Sequence, residues 1–172
     1  MKYYYLILIP IVLFACEKTK QPAQEELNAN PLLGAWEMKE INWKRVDTTF
    51  SIKKAQPGIF IMSSNRYSII WTPIDKPRTP FQVLSNPTED ELKSGFRSIV
   101  FNAGSYVLTD STITTTAFVA KVPGFEGGKQ FYKYELEGDL LKLTMYDETY
   151  PDGTKPEWFG RYVTEFILSR AE

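Results

Sequence analysis

The sequence predicts a mainly β protein, with eight antiparallel strands closed up-and-down into a barrel and one helix between the third and fourth strands. Three observations carry this. Short segments alternate apolar and polar residues at a period of two, the mark of strands with one dry and one wet face. Turn residues separate these segments at hairpin distances. One stretch changes to helical spacing and carries a helix-start signature. A two-sheet sandwich satisfies the same alternation, but consecutive hairpins with short turns make a meander, and eight meandering strands can close.

In chain order, LLGAWEMKEINWKR (32–45) is the first strand candidate. GIFIMSSNRYSIIWT (58–72) is a hairpin: an apolar arm, a turn at Ser63, Ser64 and Asn65, and a second arm in which Tyr67, Ile69 and Trp71 alternate with Ser68, Ile70 and Thr72. Residues 73–87 contain four prolines, which cannot donate to a ladder, so an ordered loop is expected there. TEDELKSGFRSIVFNAG (88–104) is the helix. Thr88 and Glu91 form a capping box, and Glu89, Asp90 and Glu91 suit the helix dipole. Leu92, Phe96, Ile99 and Val100 make one apolar stripe, expected to face the core. Gly104 is the expected C-cap, and Gly95 is expected to mark close packing.

Five strands follow. Residues 105–109 and 112–122 flank Asp110 and Ser111, 129–137 and 140–146 flank a tight turn at Gly138 and Asp139, and 157–169 closes the chain after YPDGTKP. Alternation puts Tyr132, Tyr134 and Leu136 on one face, then Leu141, Leu143 and Met145, then Tyr162, Phe166 and Leu168.

Charge and composition exclude several functions. With 20 basic and 21 acidic residues interspersed and no basic patch, nucleic acid is not an expected partner. There is no histidine, so a Ser-His-Asp triad cannot exist and the commonest metal ligand is missing. The single cysteine, Cys16, allows no disulfide within the chain. No cofactor and no metal site are expected. Glu126, Gly127, Gly128 and Lys129 have the letters of a phosphate binder but do not join a strand to a helix, and are read as a hairpin loop.

Residues 1–16, MKYYYLILIPIVLFAC, pair a positive Lys2 with a 12-residue apolar run, too short to span a bilayer comfortably. Leu13, Phe14, Ala15 and Cys16 resemble a bacterial lipobox, although Phe14 departs from the smaller residue usual there. The resemblance implies a cleaved signal peptide (1–16), lipid on Cys16, and attachment to a membrane of the bacterial cell envelope, periplasmic or surface-exposed. An uncleaved anchor, or cleavage without lipidation, is the alternative. Residues 17–30 are polar and read as a flexible tether; the barrel domain is then 31–172.

Gly34, Ala35 and Trp36 resemble the Gly-x-Trp signature of lipocalins. The order and spacing of LLGAWEM, GIFIMSSNRYSIIW, the Pro-rich loop, FNAGSY, KYELEGDLLKLT and VTEFILSR resemble the bacterial lipocalin-like domain family over about residues 32–170. That resemblance implies a barrel with an internal cavity. It also implies that Trp36 packs across the closed end, that Gly34 allows close chain approach, and that an Arg lies over the Trp: Arg170 by position, Arg161 second.

The inward aromatics Tyr67, Trp71, Tyr132, Tyr134 and Phe166 are the candidate ligand-binding residues, and Tyr146, out of phase in its strand, is placed at the mouth. Asp147 continues the inward phase of Leu141, Leu143 and Met145, so it is the carboxylate expected at the rim, with a solvated loop charge as the alternative. The expected function is a lipid-anchored envelope protein, not an enzyme, that binds a small hydrophobic or amphipathic molecule. The alternatives are a filled barrel acting as an interaction or structural lipoprotein, and, by fold analogy alone, an isomerase or cyclase. A cavity above about 300 Å³ would disfavour the filled barrel, and a buried carboxylate beside a Tyr would favour the enzyme.

Overall fold

The computed structural model describes residues 30–171. The signal-like segment, Cys16 and residues 17–29 of the tether lie outside the described residues. The elements are β1 (Gly34–Lys44), β2 (Thr49–Ile52), β3 (Ile59–Met62), β4 (Tyr67–Trp71), α1 (Glu89–Arg97), β5 (Val100–Leu108), β6 (Thr112–Ala120), β7 (Lys129–Glu137), β8 (Leu140–Thr149) and β9 (Val163–Arg170). Strands β1 and β3 to β9 pair antiparallel in chain order, and β9 returns to β1, closing an eight-position barrel.

Strand β2 is the ninth strand and was not separated from its surroundings by sequence. It pairs with the second half of β1, Trp43 facing Phe50, while β3 pairs with the first half, Trp36 facing Phe60. The two short strands share one edge of β1. The helix therefore falls between the fourth and fifth strands, not the third and fourth.

The capping box forms: the Glu91 N–H donates to Thr88 Oγ1 and the Thr88 N–H donates to Glu91 Oε2 at 2.8 Å. The helix ends far earlier than its sequence pattern suggests, with Ser98 as C-cap. Val100 already belongs to β5, whose ladders on both β4 and β6 override helical spacing. Gly104 is not a C-cap. It lies within β5, where a Cβ would stand 1.9 Å from the Thr116 carbonyl oxygen. The helical part of the stripe expected in the core faces outward, Leu92 being 52% exposed and Phe96 47%, while Val100, in β5, packs against the core. Gly95 does mark close packing, since a Cβ there would meet the Phe81 ring at 2.8 Å.

Inside the barrel, Trp36, Ile41, Leu141, Leu143, Phe166 and Leu168 are buried, as alternation along each strand requires. Register shifts interrupt that alternation at Lys39 in β1, Phe118 in β6 and Tyr146 in β8. Each extra residue sends the rest of its strand to the opposite face. Two of the three decide what enters the candidate site.

Candidate functional site

One end of the barrel is closed by a plug. Trp36 is fully buried, and its indole N–H donates to the Leu32 carbonyl at 2.8 Å. The Arg170 guanidinium lies 4.1 Å over the ring and donates to the carbonyls of Leu33 and Pro31, each at 3.0 Å. Gly34 enters β1 with φ of 109°, where a side chain would be strained. Arg161 is not at this end. It is exposed, on the turn before β9, and its N–H donates to the Trp158 carbonyl.

The other end, the mouth, holds a pocket of about 170 Å³. Trp43 from β1, Trp71 from β4, Phe166 from β9, and Trp158 and Tyr162 from the preceding turn make its apolar walls. Trp43 and Trp71 have ring centroids 6.1 Å apart. Phe166 meets Trp71 edge-on at 5.0 Å, and Trp158 stacks on Tyr162 at 5.6 Å. Beneath the rings runs a chain of polar side chains. The Tyr67 hydroxyl donates to Asn102 Oδ1 at 2.6 Å, and Asn102 Nδ2 donates to Gln130 Oε1 at 3.2 Å. The Tyr132 hydroxyl donates to the same Gln130 oxygen at 2.7 Å. Gln130 Nε2 then donates to Glu148 Oε2 at 2.6 Å. Two donors on Oε1 fix the orientation of the Gln130 amide, so its N–H must face the carboxylate. Among the described residues, no buried side-chain nitrogen or oxygen lacks a partner.

Burial raises the pKa of Glu148. Hydrogen bonds from Gln130 and Trp158 oppose that rise, and the neighbouring charge of Asp147 adds to it. Burial pushes Tyr67 up to about 12 and Tyr132 well above its ordinary value, so both remain neutral donors at physiological pH. Burial also raises Tyr162, as does the charge of Glu148, while Arg45 pulls it down. Among the described residues, no group of three or more His, Cys, Asp or Glu could hold a metal ion.

Trp71, Tyr132 and Phe166 line the pocket. Tyr67 lies below it, at the far end of the polar chain. Tyr134 is directed toward the closed end, its hydroxyl donating to the Thr109 carbonyl at 3.1 Å. Tyr146 does not cap the mouth: it occupies the β8 bulge on the outer surface, beside Phe131 and Lys133. The same bulge turns Asp147 outward, where it pairs with Lys155 at 2.6 Å, and turns Glu148 inward. Sequence reading passed over Trp43, Asn102, Gln130 and Trp158, and placed Asp147 where Glu148 stands. Trp43 is seven residues after Trp36, on the opposite face by strict alternation; the Lys39 bulge brings it to the same face. A larger hollow of about 570 Å³ lies open on the outer wall beside Lys54, Ala55 and Pro57. The mouth pocket is the candidate site, because it is the one in which buried polar groups and a shifted carboxyl converge inside apolar walls.

The chain belongs to the lipocalin-like domain family, whose family model matches residues 33–162. It is also similar to a crystal structure of an uncharacterized protein from Bacteroides eggerthii DSM 20697, with 14% identity and a TM-score of 0.41. That similarity covers 81% of this chain and 98% of the other. No curated protein matches the sequence.

Proposed function

We propose that the protein is a non-catalytic binding protein, held at the bacterial cell envelope by lipid on Cys16, that takes one compact amphipathic molecule in the barrel mouth. The observation that carries this reading is the mouth pocket: about 170 Å³, indole-walled, with the Glu148 carboxyl at its polar side. This does not reach the roughly 300 Å³ that would disfavour a filled barrel, and it is below the roughly 300–1,000 Å³ of sites for drug-sized ligands. The reading is therefore narrower than a generic hydrophobic ligand: a small apolar body with one polar end, and no long acyl chain. The closed half of the barrel holds buried side chains of the core, among them Trp36, Phe60, Leu141 and Leu168. A raised carboxyl near tyrosines is also a feature of acid–base sites. Here, however, Tyr132 and Tyr67 donate to Gln130 and Asn102, so neither hydroxyl proton is directed at Glu148.

Native mass spectrometry of the protein purified gently from its own organism tests the pocket. A reproducible small adduct, lost on denaturation, is expected. A bound phospholipid or fatty acid would refute the compact-ligand reading, and a clean mass would shift weight to a filled barrel acting through its outer surface. For the anchor, Cys16→Ser is expected to release the protein from membranes or leave it unprocessed. Unchanged mature mass and membrane retention would refute lipidation.

A further inference from the structure

We infer that the mouth pocket selects a small organic cation, an ammonium head carrying alkyl groups, seated among the three indoles and against Glu148. The inference rests on the compact-ligand reading above and adds the charge of the ligand. Among the described residues, Glu148 is the one charged side chain lining the pocket. It has no ion-pair partner among them; its hydrogen-bond partners are neutral, the amide of Gln130 and the indole N–H of Trp158. A carboxylate withdrawn from water without a counter-charge is costly, and a cationic ligand would supply that charge.

The walls suit the same occupant. The faces of Trp43, Trp71 and Trp158 carry the negative side of the ring quadrupole, and Trp is the strongest of the aromatic partners for a cation. Elsewhere this chain sets its own cations on rings: Arg170 on Trp36 at 4.1 Å, Lys121 on Phe96 at 4.4 Å and Lys155 on Phe159 at 4.9 Å. Among the described residues it places none on the three indoles of the mouth. Arg45 borders the adjoining hollow beside Trp43 and Tyr162 rather than the pocket itself. An anion would meet the carboxylate. A neutral apolar molecule would leave Glu148 desolvated with nothing in exchange. The Gln130 amide, locked by its two donors, holds the carboxylate from below before any ligand arrives, which lowers the ordering cost of binding.

The test titrates the full mature protein with choline, tetramethylammonium and n-butylammonium, and with neohexyl alcohol, the neutral carbon isostere of choline. Tryptophan fluorescence and calorimetry follow binding. At least one cation is expected to bind, and choline at least tenfold more tightly than its isostere. Glu148→Gln should weaken cation binding at least tenfold and leave the isostere unchanged. Trp71→Phe, checked for an intact thermal transition, should weaken it severalfold. Equal affinity for choline and its isostere would overturn the cation inference and leave the compact-ligand reading standing. No response to any of the three cations would overturn it as well. Whether the earlier reading then falls too is decided separately, by whether the gently purified protein carries a small adduct.

Discussion

The two ends of this barrel use the same chemistry in opposite ways. At the floor, Trp36 is fully buried and its cation comes from the chain: Arg170 lies over the ring and is tied to the Pro31 and Leu33 carbonyls. At the mouth, Trp43, Trp71 and Trp158 gather around a carboxylate, and no basic side chain of the described residues lines the pocket. The floor is complete within itself. The mouth is complete within itself only as far as hydrogen bonds go, because the Tyr67–Asn102–Gln130–Glu148 chain leaves no charge compensated. The difference teaches that indole and charge in contact do not mark a site. The floor gives stability to the closed end, whereas the mouth holds a carboxyl whose burial disfavours its charged form.

That contrast is breakable. Trp36→Ala should show the largest effect, a loss of roughly 3–5 kcal/mol in urea unfolding, since it empties the closed end. A loss below about 1 kcal/mol would remove Trp36 from its place as the floor. Gln130→Leu should cost about 2–4 kcal/mol, because Tyr132, Asn102 and Glu148 lose their common partner in one step. A neutral result would show that the polar chain is not a closed network. Arg170→Ala comes next, at about 1–3 kcal/mol, for one cation–π contact and two charge-assisted hydrogen bonds. The Asp139 partner is 83% exposed and adds little to that figure.

The smallest effect has the opposite sign. Glu148→Gln should leave the thermal midpoint at neutral pH unchanged or higher, because it removes a desolvated charge. The folded-state pKa of Glu148 lies above its ordinary value of 4.5, so the folded protein holds the proton more firmly than the unfolded chain. The resulting stability is full below 4.5 and is lost as pH rises through the folded value. Glu40, Glu91 and Asp152, whose values are lowered, act in the other direction and lose their contribution as pH falls. The difference between native and Glu148→Gln stability curves isolates the first effect. A native protein that gains stability relative to the variant as pH rises would contradict the placement of Glu148.

Much of the fold was legible along the chain. Gly138 and Asp139 make the two-residue turn, with Glu137 paired to Leu140 across it. The alternation of Leu141, Leu143 and Met145 names the inner face of β8 up to the bulge. The helix start was legible because capping is local, a matter of Thr88 and Glu91 three residues apart. The helix end was not. Val100 continues the helical stripe and yet has a strand partner, and only the sheet decides between the two. Strand β2 was hidden for a related reason: four residues carry too little periodicity to stand out, and their pairing is with Ile41 and its neighbours, earlier in the chain.

The sequence by itself determined the barrel class, the hairpin order and the helix start, because each follows from local periodicity, turn chemistry or capping; the residues of the plug were legible only through the resemblance of Gly34, Ala35 and Trp36 to the lipocalin Gly-x-Trp signature. Alternation also named Trp71, Tyr132 and Phe166 as inward, and they do line the mouth; tertiary structure decided its other occupants. A one-residue bulge reverses every side chain beyond it, and whether a strand bulges depends on the register of a partner elsewhere in the chain. The bulge at Lys39 brought Trp43 inward, and the bulge at Tyr146 exchanged Asp147 for Glu148. Closure of the ring then brought Trp158 to the same pocket as the carboxylate from a turn that has no period of its own.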